Sequence, residues 1–148
     1  MPSLKPNVVH LASPDDMEQQ FYDALRQGDV ERMMSVWSDD DEIVCVHPGG
    51  PRVSGPAAIR ASFDAMFSNG GVDAQLERVR RITAHSSAVH SVLERVQVRT
   101  SEGPKSAWVI ATNVYQKTAQ GWRMVAHHAS AGSVKETEQA AEPAATLH

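Results

Sequence analysis

The sequence predicts an α+β domain in which three helices cover one face of a curved antiparallel sheet. Two observations carry this reading. Helix-start signals precede each of three amphipathic segments in the first half, and at Val72 the hydrophobic period drops to two, after which four alternating stretches follow with short polar turns between them. At 148 residues the chain suits one domain with a self-supporting core.

In chain order, Ser13-Pro14-Asp15-Asp16 opens the first helix. Ser13 stands as N-cap, Pro14 occupies the first helical position, and two carboxylates lie where the helix dipole favours negative charge. Met17, Phe21, Ala24 and Leu25 recur at helical spacing until Gly28 supplies a C-cap. Asp29 caps a second, shorter helix bearing Val30, Met33, Met34 and Trp37 on one face. The acids Asp39 to Glu42 lack the alternating ligand spacing of a calcium loop and read as a solvated turn. Ile43-Val44-Cys45-Val46 is then a short buried strand, stopped by His47-Pro48-Gly49-Gly50-Pro51. Gly55-Pro56 opens a third helix with Ile59, Phe63, Met66 and Phe67 on one face, closed by Asn69-Gly70-Gly71. Segments 72–84, 88–99, 106–117 and 122–131 are the strands of a meander. The domain is thus expected over 14–132, with disordered tails at 1–13 and 133–148 that are polar or alanine-rich.

Charge and cysteine content narrow the function classes. A net charge of −4 and a single dense basic run, Arg78-Val79-Arg80-Arg81, without aromatic partners beside it argue against nucleic-acid binding. With Cys45 as the only cysteine, no intramolecular disulfide is possible. The sequence shows neither a signal-peptide pattern nor a membrane-spanning apolar run, so a cytoplasmic protein without membrane attachment is expected. Nothing in the spacing calls for a metal, flavin, nicotinamide or haem.

The last hairpin is the most informative segment. If its strands pair in simple register, Ala111, Asn113 and Tyr115 share one face with Trp122, Met124, Ala126, His128 and Ser130. An amide, a phenol and an imidazole turned toward a core suggest a pocket lining.

The order of elements resembles the nuclear transport factor 2-like superfamily, in particular its SnoaL-like bacterial members. The markers are Phe21-Tyr22-Asp23-Ala24 with Gly28-Asp29, Val36-Trp37, Val46-His47-Pro48-Gly49-Gly50, Gly55-Pro56-Ala57-Ala58-Ile59, and Gly121-Trp122-Arg123 running into His128-Ala129-Ser130. The resemblance implies a cone-shaped sheet closed by helices around a pocket, with homodimerisation through the outer face of the sheet. Ketosteroid isomerase, a protein of that superfamily, sets an aspartate base against a tyrosine and a protonated aspartate. Here Tyr22 would match a helix-borne tyrosine, but the late strands carry Asn113 and His128 where acids would be required.

Among residues suited to chemistry, Glu94 leads. It alternates with His90, Val92, Val96 and Val98, and a carboxylate among valines is desolvated and so suited to acid/base work near neutral pH. A bulge reversing the faces would instead leave it solvated beside Arg95. By parity His128 faces inward and His127 outward, which also argues against the pair as a metal motif. His128 is then either a base or a histidine satisfied by Ser130 or backbone. His47 sits where strand gives way to loop. Asn113 and Tyr115 would orient a polar ligand group, while Trp37, Trp108 and Trp122 would provide flat walls or simply core. Cys45 reads as a small core residue.

Two functions follow. One is cofactor-independent acid/base chemistry on a small, largely apolar or aromatic, carbonyl-bearing molecule, with Glu94 or His128 moving the proton and His47 and Asn113 steadying charge on oxygen. The other is a non-catalytic ligand-binding or dimeric interaction module.

Overall fold

The computed structural model describes residues 12–133. The tails read from the sequence lie outside these described residues except for positions 12, 13 and 133. Helix α1 spans Pro14–Gln27, α2 Val30–Val36 and α3 Pro56–Phe67; the strands are β1 Val44–Val46, β2 Arg52–Ser54, β3 Ala74–Thr83, β4 Ser87–Thr100, β5 Gly103–Thr118 and β6 Gly121–Ala131.

The start of α1 is a full capping box. Ser13 Oγ accepts from the Asp16 amide at 3.1 Å, and Asp16 Oδ2 accepts from the Ser13 amide at 2.8 Å. Gly28 ends the helix in the left-handed region, φ 66°. Asp29 caps α2 by accepting from the Arg32 amide. Gly71, after α3, is needed for a different reason: a Cβ there would stand 2.0 Å from the Arg26 carbonyl oxygen. This close approach lets the Val72 amide bond to the Leu25 carbonyl at 2.8 Å, fastening the entry to β3 onto the end of α1.

The sheet order is β2-β1-β6-β5-β4-β3. The β3–β6 meander is antiparallel, as expected, whereas β1 joins β6 in parallel and the three-residue β2 adds an edge at positions the sequence reading leaves unassigned. So short a strand, following the turn His47-Pro48-Gly49-Gly50-Pro51, carries too few residues for its period to show. The three helices lie against one face. Phe21, Tyr22, Met33, Ile59 and Phe63 from the helices meet Val92, Ala111, Tyr115 and Met124 from the strands, all essentially without solvent contact. Each large apolar side chain buried there contributes about 1.5–3 kcal/mol. Among the described residues no helix is long and apolar enough to cross a membrane.

A bulge decides the site. Val114 pairs with Ala126, but Tyr115 pairs with Met124, so Val125 has no partner across the ladder. The extra residue reverses the parity of β6. Beyond it His127 and Ala129 are buried while His128 and Ser130 are exposed. The inward placement of His128 required simple register; the bulge corrects it, and His127 takes the inner position.

Candidate active site

Between the helices and the sheet lies a cavity of about 210 Å³. Its walls come from Phe21 and Leu25 of α1, Phe63 and Met66 of α3, and Val96 and Val109 of the sheet, and the ionisable side chains along it are His47, Glu94 and His127. A hollow of about 710 Å³ lies outside the core between Asn69–Asp73 and the β4–β5 hairpin, lined by exposed Arg99 and Thr100. Larger but without a buried ionisable group, it has less to offer chemistry than the smaller cavity.

Alternation along β4 turns His90, Val92 and Glu94 inward, all 5% exposed or less. The Tyr22 hydroxyl, on the inner face of α1, donates to Glu94 Oε2 at 2.5 Å, a length typical of a hydroxyl bonded to a carboxylate. Behind this pair runs a buried network. Asn113 Nδ2 donates to Tyr22 Oη at 3.2 Å and to Glu18 Oε2 at 3.1 Å. The Tyr115 hydroxyl donates to Glu18 Oε2 at 2.9 Å, and His90 Nδ1 lies 2.9 Å from Glu18 Oε1. On the cavity side, His127 Nδ1 lies 2.6 Å from Asn113 Oδ1.

Burial raises the Glu94 carboxyl from 4.5 to about 7; the Tyr22 hydrogen bond opposes the rise and the charge of Glu18 adds to it. Near neutral pH this group can therefore both accept and release a proton. Burial drives the Tyr22 hydroxyl well above the ordinary phenol range, with the Glu94 charge adding to the effect, so it stays a donor. Tyr115 is raised in the same way by burial and Glu18. Burial lowers His127 to about 3, with His47 and His128 contributing, and lowers His47 as well, so both imidazoles facing the cavity are neutral at pH 7.

His47 stands at the cavity edge, its Nε2 2.8 Å from Ser62 Oγ and its ring 5.0 Å from that of Phe63. Cys45 Sγ lies 3.8 Å from the same nitrogen, yet the thiol is buried and pushed up to about 12, which leaves no thiolate for nucleophilic attack.

The structure thus brings Glu94 and His47 to the cavity and places Tyr22, Asn113 and Tyr115 in the network behind it. His128 is kept out by the bulge. Trp37 and Trp122 do not line the cavity: Trp37 follows α2 and bridges to Met124, and Trp122 begins β6, whereas the cavity takes Ala129 from that strand's other end. The walls are phenylalanine, methionine and valine instead. Two site residues escaped the sequence reading. Glu18 lies one helical turn before Tyr22, and that i, i+4 spacing was a usable signal. His127 was hidden by the bulge, which leaves no local mark.

Among the described residues one trio has ligand atoms close enough for a metal ion, Asp15, Glu18 and His90, within 4.8 Å of one another. Asp15 is paired with Arg81 at 2.8 Å and Glu18 already accepts three hydrogen bonds, so binding would have to break these contacts.

Comparison with known proteins supports this architecture. A structure from Thiobacillus denitrificans, provisionally named a calcium/calmodulin-dependent protein kinase type II association domain, superimposes with a TM-score of 0.74 at 34% identity, covering 82% of this chain and 96% of that one. A Streptomyces avermitilis protein of the NTF2-like family, provisionally named a dehydratase, gives a TM-score of 0.70 at 28% identity over 79% of this chain and 91% of its own. F-box protein SKIP8 of Arabidopsis thaliana is 27% identical over 112 residues, 75% of this chain; the chain spans just under half, 46%, of that longer protein. The family model for the SnoaL-like domain matches residues 15–133, and with the six-stranded sheet and its three helices already described, the chain belongs to the SnoaL-like, NTF2-like family.

Proposed function

We propose that this chain binds a small, largely apolar, carbonyl-bearing molecule in the cavity and that Glu94 moves a proton on it without a cofactor. The observation that carries this reading is a carboxyl raised to about 7 that lines an apolar cavity and has one oxygen, Oε2, held by Tyr22. The family is broad enough to hold both enzymes and binding modules, and the Streptomyces relative's name is in keeping with chemistry of this kind.

In the proposed step, ionised Glu94 takes a proton from the carbon next to the carbonyl. The C–H electron pair passes into the new C=C bond while the carbonyl π pair moves onto oxygen, giving an enolate. Protonated Glu94 then returns the proton to another carbon or to the oxygen, so atoms and charge balance. Tyr22 is a positioning residue: its hydrogen bond fixes the carboxyl and limits how far its pKa rises. His47, at the rim, faces the developing oxygen charge.

The test is α-hydrogen exchange. A panel of small alicyclic and aryl ketones incubated in D2O with the protein should exchange faster than in buffer, and Glu94→Gln should lose about 10²–10⁴-fold of that acceleration. Absence of exchange together with absence of ligand-induced thermal stabilisation would overturn the reading.

A second reading, self-association, is favoured by the Thiobacillus relative's name as an association domain. Its proposed surface is the outer face of the sheet, where Ile82 is 74% and Val89 36% exposed. Light scattering checks it: a dimer that Val89→Lys converts to monomer supports this face, and a monomeric wild type sinks it.

A further inference from the structure

Two polar atoms on side chains lining the cavity take part in none of the hydrogen bonds described above: Glu94 Oε1 and His127 Nε2. The second carries information about the ligand because the ring's tautomer is set by its neighbours. The Asn113 amide cannot be turned end for end without pointing its oxygen at the Glu18 carboxylate, which accepts from Nδ2 at 3.1 Å. Asn113 Oδ1 therefore faces His127, and at 2.6 Å it must accept a proton from Nδ1. A neutral imidazole that carries its proton on Nδ1 presents a bare lone pair at Nε2. His127 is 5% exposed, its ring tilted 39° against that of Phe21 at 4.9 Å and its Nδ1 held by Asn113, which fixes the ring's orientation.

The charges at the cavity restrict the ligand further. No lysine or arginine stands among its lining residues, His47 and His127 are neutral, and Glu94 is the group able to carry charge there. A carboxylate ligand would be desolvated against that acid with no cation to offset the cost.

Resting on the proposed function for the pocket itself, we infer that the cavity selects an uncharged molecule bearing a hydroxyl as well as the carbonyl, the hydroxyl donating to His127 Nε2. Its size must be modest, since about 210 Å³ lies below the roughly 300–1,000 Å³ of drug-sized sites. An acceptor at the cavity wall left without its donor when the hydroxyl is missing is what gives such a site its discrimination.

The test uses 4-hydroxyacetophenone against acetophenone, 4-methoxyacetophenone and 4-hydroxybenzoate on the full chain, with Kd read by calorimetry. The hydroxy ketone should bind at least about tenfold tighter than the first two, one good hydrogen bond's worth, and the hydroxybenzoate should bind weakest. The preference should vanish in His127→Phe and His127→Gln and persist in Glu94→Gln. Independently, 15N NMR of histidine-labelled wild type should show His127 protonated at Nδ1 and bare at Nε2, a signature that needs neither ligand nor folded variants. Equal binding of the hydroxy and methoxy ketones, or an Nε2–H tautomer, overturns the inference while leaving the pocket intact. If none of the four compounds binds, both the inference and the pocket reading fall.

Discussion

Two carboxylates are buried side by side in sequence-distant parts of this molecule, and they live in opposite conditions. Glu18, on α1, is gripped by the Tyr115 hydroxyl, the Asn113 amide and the His90 ring. Glu94, on β4, has the single bond from Tyr22 and otherwise faces apolar walls. A buried charge is tolerable where hydrogen bonds replace its lost water, and it becomes reactive where they do not. On the proposed reading, the crowded carboxylate holds the fold together and the underserved one is the group that acts. Asn113 and Tyr22 join the two regions: Asn113 donates to Glu18 and to the Tyr22 hydroxyl, and Tyr22 in turn donates to Glu94.

This contrast can be broken most severely at Glu18. Glu18→Leu strands three buried polar groups and should cost about 3–5 kcal/mol in urea unfolding, a large share of a domain's stability. A loss below about 1 kcal/mol would mean the network does not hold the fold. Glu94 should behave in the other direction. Its carboxyl is raised from 4.5 to about 7 in the folded chain, so folding favours the protonated form. The associated stability is complete below pH 4.5 and is lost as pH rises through about 7. Glu94→Gln keeps an acceptor for Tyr22 but cannot ionise. At pH 8 it should match or exceed the wild type by about 1–3 kcal/mol, an advantage that disappears at pH 4. Stability profiles against pH decide this, and a wild type whose stability rises between pH 5 and 8 relative to the variant would contradict it.

Tyr22→Phe probes the link between the two regions. It should cost about 1 kcal/mol of stability. It also removes the hydrogen bond that restrains Glu94, so the pH midpoint of any exchange activity should move upward; an unmoved midpoint would show that Tyr22 does not tune the acid. The smallest effect is expected outside both regions. His128→Ala, on the exposed face, should change stability by no more than about 0.5 kcal/mol and leave ketone exchange as it is in the wild type. A loss of exchange there would reinstate the residue that the bulge turns outward.

The architecture was legible because the signals that specify it are local. Ser13, Asp29 and Gly28 sit at the helix ends they announce, and the period-two stretches from Val72 onward became strands. Parity alone put Glu94 and His90 on the inner face of β4 and Asn113 and Tyr115 on that of β5. The site was less legible where it depends on what lies across the sheet. A bulge is a property of the pairing of two strands, and neither strand's residues declare it, so His127 and His128 exchanged places. Glu18 was overlooked because a glutamate in the second turn of a helix is ordinarily solvent-facing; only the arrival of Tyr115, Asn113 and His90 from other strands explains its burial. The tryptophans read as flat walls or simply core; Trp37 is buried in the core, and Trp122 sits at the end of β6 away from the cavity.

Val125 has a consequence for how this chain tolerates change. It has no partner across the ladder, so removing it would join Met124 directly to Ala126 and leave the pairs Tyr115–Met124, Val114–Ala126 and Asn113–His127 in an unbroken run. His127 would stay inward against Asn113. Drawing Val125 into the ladder without removing it would instead carry every later residue one place along, turning His128 inward opposite Ala111 and His127 outward. The last strand therefore tolerates the loss of a residue at that point and does not tolerate a slip. A variant lacking Val125 that keeps His127 against Asn113 would show that the pairing beyond the bulge, and not the bulge itself, positions the site.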